Sequence, residues 1–113
     1  RLSSELGQLV ESVNGALPRP FLLDYSFDPE AHPEQIYCRS DHYNYARYGI
    51  PIVFLTSGLH DDYHAPSDEA SEIRVEKLER VGDFILRMTM ELANRETAPR
   101  IDKPIPPLGS PCN

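Results

Sequence analysis

Apolar residues recur at helical spacing near the start of the chain. Leu6, Leu9, Val10 and Val13 fall on one face, and Ser3 or Ser4 can cap that helix because a hydroxyl accepts from a free N–H of the first turn. Asn14-Gly15 is the stop. Pro18 and Pro20 then break the chain, and residues 21–27, short and rich in apolar and aromatic side chains, predict a strand ending at Asp28-Pro29. Residues 29–35 read as loop. Ser40-Asp41-His42 opens a second, short helix, with Ser40 as N-cap and Asp41 near the positive end of the helix dipole, and Gly49 closes it. Ile50 to Thr56 is an almost unbroken apolar run, IPIVFLT, the pattern of a strand buried on both faces of a parallel sheet. Pro51 is tolerable there only near the strand start. Residues 57–72 form a long polar loop. A third helix is predicted over 75–94, with Leu78, Val81, Ile85, Met88 and Leu92 on its core face and Arg80, Arg87 and Glu91 off it. From Thr97 the chain holds Pro99, Pro104, Pro106, Pro107 and Pro111, so it is extended rather than helical. The predicted fold class is α/β in the order α-β-α-β-α. Two strands alone make a poor sheet, so the pattern reads as half of a doubly wound sandwich, with an N-terminal portion missing.

Composition changes this picture little. A length of 113 residues suits one small domain, and 40% hydrophobic residues permit a core. The net charge of −7 and pI near 4.9 repel phosphate backbones and exclude nucleic acid as a partner. No apolar run approaches the roughly 20 residues of a membrane span. The chain opens on Arg1-Leu2-Ser3-Ser4, without Met or signal peptide, and reads as a cut. Cys38 precedes the second predicted helix and Cys112 lies in the Pro-rich tail, a spacing that demands no bridge.

The densest chemistry lies in Gly58-Leu59-His60-Asp61-Asp62-Tyr63-His64-Ala65-Pro66-Ser67-Asp68. Imidazole and carboxylate are suitable zinc ligands. His60 and His64, four apart, would share a face only on a helix, and Gly58 and Pro66 argue against one. On the residues alone, a solvated acidic loop is the default. Tyr37 and Tyr63 carry phenolic O–H groups able to donate to a developing oxyanion, though packing is the commoner use of such tyrosines. Arg39 suits a carboxylate or solvent, and His42, beside a helix cap, reads as a satisfied structural histidine.

The order Arg39-Ser40-Asp41-His42, then Gly49-Ile50-Pro51, then Gly58-x-His60-x-Asp62-Tyr63-His64-x-Pro66-x-Asp68 closely resembles the C-terminal part of the two-zinc aminopeptidases. Bacterial leucyl aminopeptidases belong to that family, and glutamate carboxypeptidases, transferrin receptors and glutaminyl cyclases are its relatives. The resemblance runs from about Ser3 to Asn94. It implies the C-terminal portion of a three-layer α/β/α sandwich over residues 1–96, followed by an extended tail over 97–113. His64 matches the family's last zinc ligand. Tyr63 and Tyr37 each match a position where some members place a tyrosine against the tetrahedral intermediate, and the sequence does not choose between them. Ser40 and Asp41 resemble the pair that steadies the metal centre, and Asp68 resembles a polar support of the histidine loop. His60 has no ligand role by this comparison. The remaining ligands and the general base, a glutamate, match regions upstream of this chain, and Glu5, Glu11 and Glu30 sit in no matching motif.

What the resemblance implies is a parent protein with two zinc ions that removes N-terminal residues from peptides, extracytoplasmic as most of the family is. Arg39 and Phe54 are candidate substrate contacts. This chain alone, with one matched ligand, is expected to be inert and to need the missing N-terminal half. A non-catalytic interaction module, a glutaminyl cyclase and a carboxypeptidase are the alternatives. Without its partner half, the 50–56 run would present an open edge, so self-association is expected.

Overall fold

The computed structural model describes residues 1–108. Three helices organise it: α1 (Ser4–Gly15), α2 (His42–Ala46) and α3 (Val75–Ala93). Single 3₁₀ turns cover Ile36–Cys38 and Ala70–Glu72. The Ser3 hydroxyl accepts from the Leu6 N–H at 3.1 Å, which fixes the start of α1 at one of the two predicted serines.

No strand occurs among the described residues, and this overturns the α/β sandwich. A strand is a non-local object: it exists only where a neighbour supplies the other half of a hydrogen-bond ladder. Neither β-patterned segment finds such a neighbour here. Phe21 is held instead by a side chain. The buried Asn14 amide donates to the Phe21 carbonyl at 2.9 Å and accepts from the Phe21 N–H at 2.8 Å, doing for one residue what a paired strand does for many. The 50–56 run takes no regular secondary structure. It is also far from buried on both faces: Leu55 packs on the core, whereas Ile50, Val53 and Phe54 are exposed.

The core lies where α1 crosses α3. Leu9 and Val10 of α1, Leu17, and Phe84 and Met88 of α3 form its centre, with Val13, Phe21, Leu23, Leu55 and Leu92 packed around it. Phe84 is 2% exposed and sits 5.8 Å, centroid to centroid, from Phe21. The predicted face of α3 is therefore rotated and shortened. Met88 is buried and Val81 and Leu92 half-buried, but Leu78 is 61% exposed and Ile85 45%. α1 spans 12 residues against 19 in α3, and its core residues meet α3 beyond the opening turns that carry Val75 and Leu78. The α2 start also differs from expectation. Asp41, not Ser40, holds the N-cap position, in helical backbone and with no side-chain cap bond, so the predicted hydroxyl cap is not made.

Residues 97–108, rich in proline, form no helix, and they are tied down. Asp102 donates its N–H to the Leu2 carbonyl at 3.1 Å, and its carboxylate accepts from the Ser4 N–H at 2.9 Å. Glu5 pairs with the Arg95 guanidinium and accepts from the Arg100 N–H. These contacts strap the segment across the start of α1, where a carboxylate complements the free N–H groups and the dipole. The Arg100 N–H holds Glu5 below the usual carboxylate range, and the Ser4 N–H does the same for Asp102. Depressed carboxylates stabilise the folded state above their unfolded pKa and lose that contribution as pH falls through the folded value. Protection of the amides in 97–108 is therefore expected to drop below about pH 4 in hydrogen exchange. The double variant Glu5→Gln, Asp102→Asn should lose this pH dependence. An unchanged profile in that variant would rule out the strap as its source.

Farther along the strap, Ile101 and Ile105 lie over Gly49. A Cβ at Gly49 would meet Ile105 Cδ1 at 3.0 Å, and Gly49 sits at φ +75°. Left-handed backbone costs a non-glycine residue roughly 1–2 kcal/mol. Gly49→Ala should therefore destabilise the fold by about 1–2 kcal/mol in urea unfolding, whereas Gly82→Ala, where a Cβ meets nothing within 4 Å, should be neutral or stabilising.

Candidate functional site

The polar loop after residue 56 is built from successive tight turns. Thr56 Oγ1 accepts from the Gly58 N–H, and Gly58 takes φ +91° to leave the apolar run. The N–H groups of Tyr63, Ala65 and Asp68 then donate to the carbonyls of His60, Asp62 and Ala65 at 2.8–3.1 Å. Across these turns the Ser67 hydroxyl donates to the Asp62 carboxylate at 2.6 Å. The loop therefore has a fixed shape despite its exposure.

His64 occupies the middle of this series with φ +60°. Histidine is among the residues that tolerate left-handed backbone, yet the conformation is still uncommon outside glycine. Its ring lies 4.1 Å from that of Tyr63, and His60 approaches Tyr63 edge-on at 6.1 Å. The Arg39 guanidinium stands 6.0 Å above Tyr63. Arg39 also pairs with the Glu34 carboxylate at 2.8 Å. Thus Arg39, from one motif of the sequence, and Tyr63 and His64, from another, come together on one exposed face.

Tyr37 and Phe54 belong to a second group, joined by His42. His42 stacks on Phe54 at 4.4 Å with planes 14° apart, and meets Tyr37 edge-on at 6.4 Å. The Arg1 guanidinium lies over the Tyr37 ring at 4.3 Å. Tyr37 Oη, both ring nitrogens of His42 and Arg47 Nε are buried with no hydrogen-bond partner among the described residues. Burial raises the Tyr37 pKa, partly offset by Arg1, and burial lowers that of His42. The Tyr37 backbone and the Asp41 charge favour the His42 proton, but less than burial opposes it. The expected satisfied histidine is not seen: its ring nitrogens have no hydrogen-bond partner among the described residues, and the ring is held by stacking on Phe54. Four orphaned polar atoms between residues 37 and 47 are a concentration that sequence reasoning missed. Its only trace in the sequence is the density of aromatic and cationic residues there.

Ser40 and Asp41 lie at the entrance of α2, contributing backbone carbonyls to its first turn. Asp68 enters the histidine loop through its N–H. None of these three side chains makes a hydrogen bond to His64 among the described residues. Cys38, between Tyr37 and Arg39, is disulfide-bonded, a bridge the spacing did not demand; Cys112, the chain's other cysteine, lies outside the described residues. Among the described residues, no group of three or more His, Cys, Asp or Glu side chains is placed to hold a metal ion. A catalytic zinc takes about three protein ligands, so His64 and its surroundings do not by themselves fit a zinc centre. No helix of the described residues is long and apolar enough to cross a membrane.

Residues 2–89 match the family model described as Peptidase family M28. No curated protein and no solved structure matches the chain.

Proposed function

The chain belongs to peptidase family M28, and on that premise we propose that it forms part of a zinc-dependent aminopeptidase, to which it contributes His64 as one metal ligand and Tyr63 as an oxyanion donor. The observation that supports this most is the backbone of His64. A non-glycine residue at φ +60° costs of order 1–3 kcal/mol and persists where surrounding structure enforces it, most often at functional sites. Here the enforcing structure is the run of turns pinned by Ser67 and Asp62, and its effect is to present the imidazole beside an exposed phenol.

Between the two tyrosines, the surroundings favour Tyr63. Its ring packs on His64, while the Tyr37 hydroxyl is buried and faces no partner. A phenol that must donate to a developing charge needs access to substrate, and one such donor is worth about 2.7–4 kcal/mol of barrier. Arg39 is engaged by Glu34 and lies over Tyr63, which suits support of that ring better than capture of a substrate carboxylate. This speaks against the carboxypeptidase alternative. Phe54 remains our choice for a contact with the substrate side chain, Asp68 for support of the histidine turns, and Ser40 and Asp41 for bracing the α2 entrance. The other ligands and the general base belong, in this proposal, to polypeptide upstream of the matched region. The setting is extracytoplasmic.

The test measures zinc content and hydrolysis of a leucyl chromogenic substrate. The 113-residue chain alone is expected to hold little zinc and turn nothing over. In a protein carrying the remaining ligands, His64→Ala should lose both metal and turnover. Tyr63→Phe should lower kcat by roughly 10²–10³ and Tyr37→Phe should change it little. Stoichiometric zinc with turnover in the chain alone would sink the proposal, and a larger loss for Tyr37→Phe would reverse the choice of tyrosine.

A further inference from the structure

Asn14 and Gly15 close α1, and theirs is the only place in the chain where glycine follows an asparagine or an aspartate. That pair carries a chemistry of its own. A backbone nitrogen can attack the side-chain amide carbon of the asparagine before it. The new N–C bond expels ammonia and leaves a succinimide, which water opens to aspartate or isoaspartate. Glycine permits this best, having no Cβ to obstruct the approach and the freest backbone to bring the atoms together. After Asn44 and Asn94 stand Tyr45 and Arg95, whose side chains hinder the same step.

We propose that Asn14-Gly15 is a site of spontaneous deamidation, silent while the Asn14 side chain clamps Phe21 and reactive when that clamp opens. The fold withholds both reactants. The Asn14 amide is buried, with Nδ2 donating to the Phe21 carbonyl at 2.9 Å and Oδ1 accepting from the Phe21 N–H at 2.8 Å. Gly15 is a helical residue, so its N–H belongs to the ladder running back along α1. The hydrogen bond on Oδ1 polarises the amide carbon and by itself favours attack. Geometry decides against it: the side chain must leave Phe21, and the last turn of α1 must unwind, before the Gly15 nitrogen can meet that carbon. Water is the sole co-reactant. The product cannot rebuild the clamp. An aspartate at position 14 still accepts from the Phe21 N–H, but the Phe21 carbonyl loses its donor and a charge replaces a buried amide. Isoaspartate also lengthens the backbone at the helix end. The site thus turns transient local openings into a permanent loosening between α1 and the Phe21 segment.

Peptide mass mapping of the full chain over a time course in mildly alkaline buffer, with and without urea, tests this. In urea, amide-to-acid conversion should appear at Asn14 before Asn44 or Asn94, and Gly15→Ala should suppress it. A Cβ at Gly15 meets nothing within 4 Å, so that variant keeps its fold without urea. In native buffer, conversion at Asn14 should slow by the same factor, to within about threefold, as hydrogen exchange of the Phe21 amide, because both track the population of one open state. Phe84→Ala, which weakens the core without touching the pair, should raise both rates together. A native conversion rate that departs from the Phe21 protection in either direction, no preference for Asn14 in urea, or undiminished conversion in Gly15→Ala would each overturn the proposal.

Discussion

Phe84→Ala is expected to lower the free energy of unfolding by about 3–5 kcal/mol, the range for deleting a buried aromatic ring. Phe84 is the largest side chain fully enclosed in the core, and it touches both α1 and the Phe21 segment. With no sheet among the described residues, the core centres on the junction of α1 and α3. Against a total of roughly 5–15 kcal/mol for an ordinary domain, this single change should leave much of the chain unfolded at room temperature. Leu78→Ala removes a comparable apolar side chain from an exposed position on the same helix and should cost under about 0.5 kcal/mol. Urea titrations followed by the helical signal near 222 nm compare the two. Equal losses would mean that the buried face of α3 is the one read from periodicity and not the one described above.

Asn14→Ala should cost about 2–4 kcal/mol. Two hydrogen bonds to the Phe21 backbone disappear, and both backbone groups lose their partner in a half-buried setting. Each unsatisfied group costs about 1–3 kcal/mol, more than the net worth of the bond itself. Asn14→Asp keeps the acceptor and loses the donor, so it should fall between wild type and Ala at neutral pH. The specific readout is exchange of the Phe21 amide. It should accelerate far more in the Ala variant than amides in the middle of α3. Uniform acceleration across the chain would indicate general destabilisation and refute a local clamp.

Local features of this chain were legible in its sequence. The Ser3 cap, the Asn14-Gly15 stop, the Val75 start of α3 and the Gly49 turn each depend on a few neighbouring residues, and each stands where the pattern put it. The strands were not legible as such, because a β-pattern states only that a residue run is fit for a ladder. Whether IPIVFLT is one depends on another segment lying beside it. The α3 face failed for a related reason: periodicity gives a stripe, but the length and crossing point of α1 decide which part of the stripe is covered, so Phe84 was overlooked and Leu78 favoured. In the candidate site, grouping His64 with Tyr63 needed only adjacency. The approach of Arg39 and the orphaned ring of His42 came from tertiary packing that no local motif encodes.

The strap from Thr97 has one consequence for the order in which the chain assembles. Its contact between Leu2 and Asp102 closes a loop of nearly the whole described polypeptide. Closing so long a loop costs conformational entropy before any contact rewards it, whereas α1, α3 and the Asn14 clamp join segments nearer in sequence or rich in apolar surface. The strap is thus expected to close late, held mainly by polar bonds at the α1 start and by Ile101 and Ile105 over Gly49. It can open and reclose as a unit while the helices stay packed, which separates exposure of the α1 start from unfolding of the protein.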